Sequence, residues 1–137
     1  MFLSVTTRDI FNGDVTFTST NSGVIYPAYN DATGTQFNGN IIVNNTSSGG
    51  IRFGQNIGTC TLAAGKAISI GASGFSSSGA LNLRNFSQVG NTVQSLILSG
   101  TATLRLQSGV TWNGDVNFKA PLLFVDGSTY NGIATLE

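Results

Sequence analysis

The 137-residue sequence contains six Lys and Arg, six Asp and Glu and no His, which gives a formal net charge of zero. A charged fraction of 9%, against about 25% in typical soluble domains, leaves few groups for acid–base catalysis. The six cations are spread along the chain, so nucleic acid and acidic membranes, which are recognised by clustered Lys and Arg, are not expected partners.

The chain is expected to fold as one domain. Nine Phe and a hydrophobic fraction of 40% are too apolar for a disordered chain, which typically combines low hydrophobicity with high charge. No apolar run approaches the roughly 20 residues of a membrane helix, and residues 1–11 lack the regions of a signal peptide. We interpret residues 1–137 as a single module excised from a longer tandem-repeat protein.

Short bursts of alternating apolar and polar residues run along the whole chain. A period of two is typical of strands, and Gly, Ser, Asn and Thr clusters such as residues 45–50 and 76–79 predict turns between them. The best helix candidate, residues 62–67, is interrupted by Gly65, and Gly weakens a helix by about 1 kcal/mol. In chain order, the predicted strands are centred on Thr16, Ile25, Arg52, Ser69, Asn82, Ile97, Arg105 and Asn117.

An aromatic-Asn-Gly triplet occurs four times, and three copies continue through Asp or Asn into Val or Ile. Successive copies are separated by 26, 75 and 18 residues, and we interpret 75 as three turns of about 25. Repeats of this length are typical of solenoids. The triplets are Phe11-Asn12-Gly13, Phe37-Asn38-Gly39, Trp112-Asn113-Gly114 and Tyr130-Asn131-Gly132.

A parallel β-solenoid explains the residue types in these triplets. Each turn lays its strands on those of the previous turn at about 4.8 Å, so equivalent side chains stack into ladders. Asn and Gly tolerate positive φ, which predicts sharp corners at the Asn-Gly pairs. The Asn side chains are expected to hydrogen-bond along the stack, with the preceding aromatic ring pointing inward.

The alternative use of Asn-Gly is a two-residue hairpin turn, which would give an antiparallel β-sandwich. The predicted strands are only three to five residues long and the triplet recurs at coil-like spacing. We therefore predict an all-β, right-handed parallel β-helix, or β-solenoid, of about six coils, each of roughly 18 to 28 residues. Other predicted same-register pairs are Val24 with Ile51, Ile68 with Leu96, and Leu81 with Leu104.

Several segments resemble the repeated β-solenoid modules of large surface proteins and adhesins of Bacteroidetes. They are the aromatic-Asn-Gly-x-Val/Ile pattern and residues 60–71, 81–86 and 96–106. The resemblance implies an extracellular or cell-surface module repeated in tandem, which forms a rigid stalk or filament through stacked coils. The implied partners are neighbouring modules of the same protein, or further copies of the chain stacked end to end. No catalytic residues are implied.

The residues themselves also predict no enzyme, cofactor or metal site. Cys60 is single, which excludes an internal disulfide or a paired-thiolate metal site, and it is predicted to be a small buried residue. The carboxylates that could pair for glycoside hydrolysis, Asp14, Asp115 and Asp126, all lie at turn signals. We interpret them as turn caps.

Binding of surface polysaccharide is the alternative function. Tyr26 and Tyr29 flank Pro27 in a predicted loop over residues 24–32. An exposed aromatic side chain offers an apolar face with a polar edge, which suits stacking on a sugar ring. The sequence therefore predicts Tyr26 and Tyr29 as candidate ligand-binding residues.

Overall fold

A computed structural model describes residues 1–137 as an all-β chain of 17 short strands without a helix. Every paired strand runs parallel to its neighbours, so the fold is the predicted parallel β-helix and not the antiparallel sandwich. The alternating sequence favours strands, and frequent Gly, Asn and Ser end each strand after a few residues. No helix is present that would be long and apolar enough to cross a membrane.

The first face is a six-stranded sheet that runs the length of the molecule. It carries the aromatic residues of all four triplets. Its strands, in spatial order, are β1 (Ile10–Phe11), β4 (Thr35–Phe37), β7 (Cys60–Leu62), β10 (Phe86–Gln88), β13 (Thr111–Trp112) and β16 (Thr129–Tyr130).

The second face consists of two three-stranded sheets placed end to end. The first contains β2 (Val15–Ser19), β5 (Ile41–Asn45) and β8 (Ile68–Phe75). The second contains β11 (Gln94–Ile97), β14 (Val116–Lys119) and β17 (Ala134–Leu136).

The third face is a five-stranded sheet. Its strands, in spatial order, are β3 (Val24–Ile25), β6 (Gly50–Phe53), β9 (Ala80–Leu83), β12 (Thr103–Leu106) and β15 (Leu122–Val125). Successive strands in the chain visit the three faces in turn, so β1 to β3 make the first coil and β13 to β15 the fifth. The last two strands, β16 and β17, begin a sixth coil, in agreement with the predicted number.

The coils differ in length. Stacked corner residues are 26 residues apart at Asn12 and Asn38 and 18 apart at Asn113 and Asn131. The pairing of Ile51 with Leu81 spans 30 residues, more than the predicted upper limit. The extra length lies in β8, where the register of β5 against β8 shifts between Val43 and Asn45. This bulge absorbs residues that the shorter coils lack.

The gap between β8 and β11 is closed by a side chain instead of a backbone ladder. Gln94 is fully buried, and its Oε1 accepts a hydrogen bond from the Ile68 N–H at 2.9 Å. Its Nε2 donates to the carbonyl oxygens of Lys66 and Thr92 at 3.0 and 3.1 Å. The predicted pairing of Ile68 with Leu96 is therefore wrong, because the amide of Gln94 satisfies the backbone groups here.

Two other register predictions can be compared with the structure. Leu81 pairs with Leu104, as predicted. The predicted pairing of Val24 with Ile51 is wrong by one residue, because Ile25 faces Ile51 and Val24 faces Gly50. A slip of one residue exchanges the two faces of a strand, and only the observed register keeps Ile51 next to Ile25 on the inner side, where Ile51 is buried.

Inward side chains from all three faces form one continuous core of 23 buried residues. A column of aromatic rings occupies much of it, with neighbouring ring centroids between 5.1 and 6.3 Å apart. Offset and edge-to-face contacts of this kind stabilise the fold by more than the burial of their apolar surface alone would provide. The rings belong to Phe11, Phe17, Phe37, Phe53, Phe86, Trp112 and Phe118.

The triplets stack at one edge of the first face, as predicted. Phe11 pairs with Phe37, and Trp112 pairs with Tyr130. Phe37 and Trp112 are completely buried, whereas Phe11 and Tyr130, nearer the ends, are half-buried. The 75-residue interval does contain three turns, because Leu62 and then Gln88 occupy the same position in the two intervening coils.

The corner side chains also hydrogen-bond along the stack. The Nδ2 of Asn38 donates to Oδ1 of Asn12 at 3.0 Å, and that of Asn131 donates to Oδ1 of Asn113 at 2.7 Å. Asn113 in turn donates to the carbonyl oxygen of Gln88 at 2.6 Å. The predicted Asn ladder therefore exists as two pairs, one of which continues to a backbone acceptor.

None of the four triplet glycines has a positive φ. The prediction that positive φ explains glycine at these corners is therefore wrong. The left-handed positions lie at other corners, including Asn56, Asn85 and Gly109. A Cβ built on Gly39 would overlap the backbone of Gly13 and Asp14 in the preceding coil. Glycine is required here because two backbones approach each other more closely than any side chain allows.

The close approach gives a matched pair of variants. Gly39→Ala places a methyl group against the backbone of the preceding coil, whereas a Cβ on Gly13 would meet nothing within 4 Å. We expect Gly39→Ala to lower the free energy of unfolding by about 1 to 3 kcal/mol, and Gly13→Ala to change it by less than about 0.5 kcal/mol. Urea denaturation measures both, and equal effects would contradict the close approach.

The aromatic column gives a second prediction. Phe37→Ala removes a fully buried ring that contacts Phe11, Phe17 and Phe53. We expect a loss of about 3 to 5 kcal/mol in the free energy of unfolding. Phe2 is 54% exposed, so Phe2→Ala serves as the control and should cost about 1 kcal/mol or less. A loss below about 1 kcal/mol for Phe37→Ala would reject its placement in the core.

Candidate ligand-binding groove

The structure brings the two predicted ligand-binding tyrosines together. The rings of Tyr26 and Tyr29 meet edge to face with centroids 5.4 Å apart, and both side chains are partly exposed. They come together because the chain turns between them at Ala28, which has a φ of 55° and is completely buried. The buried turn fixes the backbone from which both rings project.

A third ring, which the sequence analysis did not identify, completes this cluster. Phe2 stacks on Tyr26 with centroids 4.8 Å apart and an interplanar angle of 6°, and it meets Tyr29 edge-on at 4.7 Å. Residues 1–4 lie alongside the third face. The Leu3 N–H donates a hydrogen bond to the Tyr26 carbonyl oxygen, and the Tyr26 N–H donates one to the Met1 carbonyl oxygen. We call Phe2, Tyr26 and Tyr29 the aromatic cluster.

The aromatic cluster continues into a row of outward side chains along the third face. Arg52 pairs with Asn82, Asn82 with Arg105, and Arg105 with Phe124. Tyr26 precedes Arg52 in the same row, since Ile25 pairs with Ile51. Parallel pairing in register therefore places two cations that are far apart in sequence two coils apart in space, roughly 10 Å along the axis.

A groove of about 350 Å³ lies beside this row. The floor of the groove carries only a small side chain or none, because Gly50 and Ala80 occupy neighbouring outward positions there. Arg52, Asn82 and Arg105 border the groove. We call it the arginine groove; it is lined by Val24, Ser48, Gly49, Gly50, Arg52, Ser78, Gly79, Ala80, Asn82, Thr103 and Arg105.

The two arginines of the groove lack a negative partner. The single ion pair of the protein joins Lys119 to Glu137 at 2.9 Å, and no Asp or Glu lines the groove. The Arg52 guanidinium carbon lies 6.0 Å from the Tyr26 ring centroid, and that of Arg105 lies 4.4 Å from the Phe124 centroid. Contact with a ring uses the face of the guanidinium, so its N–H edges can still meet an anion.

Asn82, between the two arginines, is also without a partner. Its side chain is 7% exposed, and its Oδ1 is buried without a hydrogen bond, as is the Nε of Arg52. Buried polar groups are nearly always hydrogen-bonded, and leaving one unpaired costs about 1 to 3 kcal/mol. Both atoms belong to residues that line the arginine groove, so the middle of the groove is where a polar ligand would gain most.

Of the three carboxylates considered for catalysis, Asp14 and Asp115 act as corner caps, whereas the Asp126 side chain makes no hydrogen bond. The Asp14 Oδ1 accepts the Asn40 N–H at 2.7 Å, and the Asp115 Oδ1 accepts the Ile133 N–H at 2.9 Å. Hydrogen bonds from the Asn40 backbone and side chain lower the pKa of Asp14. Its ionised form therefore stabilises the corner above pH about 4, and this contribution is lost as the pH falls through the lowered pKa.

The other titratable groups form no comparable centre. The chain contains no group of three or more His, Cys, Asp and Glu side chains that could hold a metal ion. Cys60 is 1% exposed, which confirms that it is buried, and burial raises the pKa of its thiol. Burial also raises the pKa of Tyr130. The arginine groove and the aromatic cluster remain the principal candidate site.

Comparison with protein-family models, curated proteins and solved structures finds no match, so the interpretation of this site depends on its own geometry.

The buried thiol of Cys60, on the first face, provides a test of the core that the three faces share. Thiolate is the reactive form of cysteine, and both burial and the raised pKa suppress it at Cys60. We expect no reaction with a disulfide reagent at pH 8 in the native protein and one equivalent in denaturant. Rapid labelling of the native protein, followed by colorimetry, would show that the coil around Cys60 opens readily.

Proposed function

We propose that the chain is a structural and adhesive module of an extracellular repeat protein, in which stacked β-coils form a rigid stalk or filament. The observation that carries this proposal is the open strand edge at each end of the stack. Edge strands offer unpaired N–H and C=O groups to another chain unless they are covered. In this proposal a neighbouring module, or a second copy of the chain, covers them.

At the C-terminal end of the stack the open edge belongs to β17. Ile133 and Glu137 make the backbone bonds to Val116 and Phe118 of β14. In a parallel ladder alternate residues bond to opposite sides, so Ala134 and Leu136 direct their backbone groups to the open side. No strand covers β17 on that side.

Both ends of the stack also expose apolar side chains. At the N-terminal end they are Met1, Phe2, Val5 and Ile10, and at the C-terminal end Leu122, Phe124, Val125, Ile133 and Leu136. Burying these side chains against another coil would add hydrophobic stabilisation at about 25 cal/mol per Å². The low charge of the chain supports close packing of modules, because few ions would need desolvation.

Backbone hydrogen bonding that continues from coil to coil along the stacking axis supports a mechanical role. The protein has 66 backbone hydrogen bonds, many of which join one coil to the next and so run along the stacking axis. Pulling the ends apart would load many of these bonds together. In repeat proteins of this type each coil contacts only its neighbours, so end coils need a cap or a further unit.

End-to-end stacking is tested at β17. Ala134→Pro removes a donor that points to the open edge and leaves the bonds of Ile133 and Glu137 to β14 in place. We expect the wild-type protein to form concentration-dependent rods in sedimentation velocity and negative-stain microscopy, and Ala134→Pro to remain monomeric. Ala134→Ser, the control, should form rods. A compact wild-type monomer at every concentration would contradict stacking of the isolated module.

Carbohydrate binding by the aromatic cluster is a second candidate function. The observation that favours it is the grouping of Phe2, Tyr26 and Tyr29, all partly exposed, beside Arg52, which lines the arginine groove. Aromatic rings beside a polar groove provide both stacking and hydrogen bonding for a sugar.

The contribution of the rings is tested by a matched pair of double variants. We expect Tyr26→Ala with Tyr29→Ala to abolish attachment to polysaccharide in a pull-down assay while the protein remains folded. Tyr26→Phe with Tyr29→Phe keeps the rings and loses only the hydroxyl groups, so attachment should persist. Unchanged attachment of the alanine variant would exclude the aromatic cluster as the binding surface.

A further inference from the structure

We propose that the arginine groove binds an acidic saccharide, with the sugar carboxylate held between Arg52 and Arg105 and a sugar hydroxyl on Asn82. This inference rests on the second candidate function and specifies its ligand class. The aromatic cluster alone suits neutral and acidic sugars equally, whereas the arginine groove selects for charge.

The charge of the groove supports an anionic ligand. Arg52 and Arg105 both border it, and neither guanidinium has a hydrogen bond or an ion pair within the protein. All six acidic residues of the chain lie outside the groove lining. Two unneutralised guanidinium groups on one face attract an anion, and guanidinium binds carboxylate with paired N–H donors.

Asn82 supports a sugar over a simple anion. Its buried Oδ1 needs a hydrogen-bond donor, and none is present in the structure. A carboxylate or a sulfate can only accept, whereas a sugar hydroxyl can donate to an amide oxygen. A uronic acid residue offers both groups on one ring, so it can satisfy the arginines and Asn82 together.

The spacing of the row fits an oligosaccharide laid along the axis. Arg52, Asn82 and Arg105 occupy successive coils at about 4.8 Å steps, and aromatic rings lie at both ends of the row, at Tyr26 and Phe124. A sugar residue seated at Asn82 would therefore have an arginine on each side.

Single-stranded nucleic acid also combines anions with stackable rings, but it is bound through positively charged grooves that track the backbone. The arginine groove has only two cations.

The experiment is isothermal titration calorimetry of the full chain with tetragalacturonate at low ionic strength, where screening is weak. We expect Arg52→Gln with Arg105→Gln to weaken binding by at least about tenfold, since two charge-assisted hydrogen-bonding groups are lost. The control, Arg8→Gln with Arg84→Gln, removes the same charge outside the groove lining and should bind as the wild type does. If the Gln variant fails to fold, Arg52→Lys with Arg105→Lys keeps the charge and loses paired recognition, and it should also bind more weakly.

Three comparison ligands, maltotetraose, inorganic sulfate and single-stranded DNA, together with one further variant decide among the remaining outcomes. Weaker binding of tetragalacturonate by Asn82→Ala, with sulfate binding unchanged, would support the hydroxyl contact. Equal binding of tetragalacturonate and maltotetraose, unaffected by the arginine variants, would overturn this inference and leave neutral sugar stacking in place. No binding of either saccharide would overturn both. Equal affinity for inorganic sulfate, tighter binding of single-stranded DNA, or an equal loss in the Arg8 and Arg84 control would also overturn it.

Discussion

The close contact of backbone with backbone at the Asn-Gly corners is the constraint on which the rest of the structure depends. Gly39 lies so near Gly13 and Asp14 of the previous coil that a Cβ has no room. The parallel ladders hold successive coils about 4.8 Å apart, and glycine allows the corners to keep this spacing, so that equivalent positions of successive coils stay in register. The stacked Phe11 and Phe37 rings, the Asn ladder and the caps made by Asp14 and Asp115 all follow from that register.

Side chains replace the backbone where the coils change length. Gln94 completes the hydrogen bonds between β8 and β11, and the Oε1 of Gln88 accepts the N–H groups of Asn113 and Gly114 at 3.1 and 3.2 Å. Both glutamines are buried among groups that would otherwise be unpaired. A long polar side chain can span the mismatch between a coil of about 26 residues and a shorter one, which explains how an irregular repeat still forms one continuous stack.

Sequence reasoning predicted the stack but missed the arginine groove. The triplets were informative because aromatic, Asn and Gly each have a separate role at the corner. The alternating apolar and polar segments around Arg52, Asn82 and Arg105 also contained the information that these three side chains share one row. Aligning the segments, however, requires the 30-residue pairing of Ile51 with Leu81. The bulge after Val43 that creates this length depends on tertiary pairing, as does the one-residue shift at Val24. The turn chemistry of Asn-Gly was misread because positive φ and close backbone approach favour the same residue.

The central claim, parallel stacking in register, is tested most directly by engineered disulfides. Thr16 and Ile42 are outward partners on neighbouring coils, within the Cα separation of about 4.4 to 6.8 Å that a disulfide requires. We expect Thr16→Cys with Ile42→Cys to oxidise readily, and Thr16→Cys with Asn44→Cys, two residues out of register, not to do so. Efficient bonding of the second pair, or failure of the first in a folded protein, would contradict the stacked register.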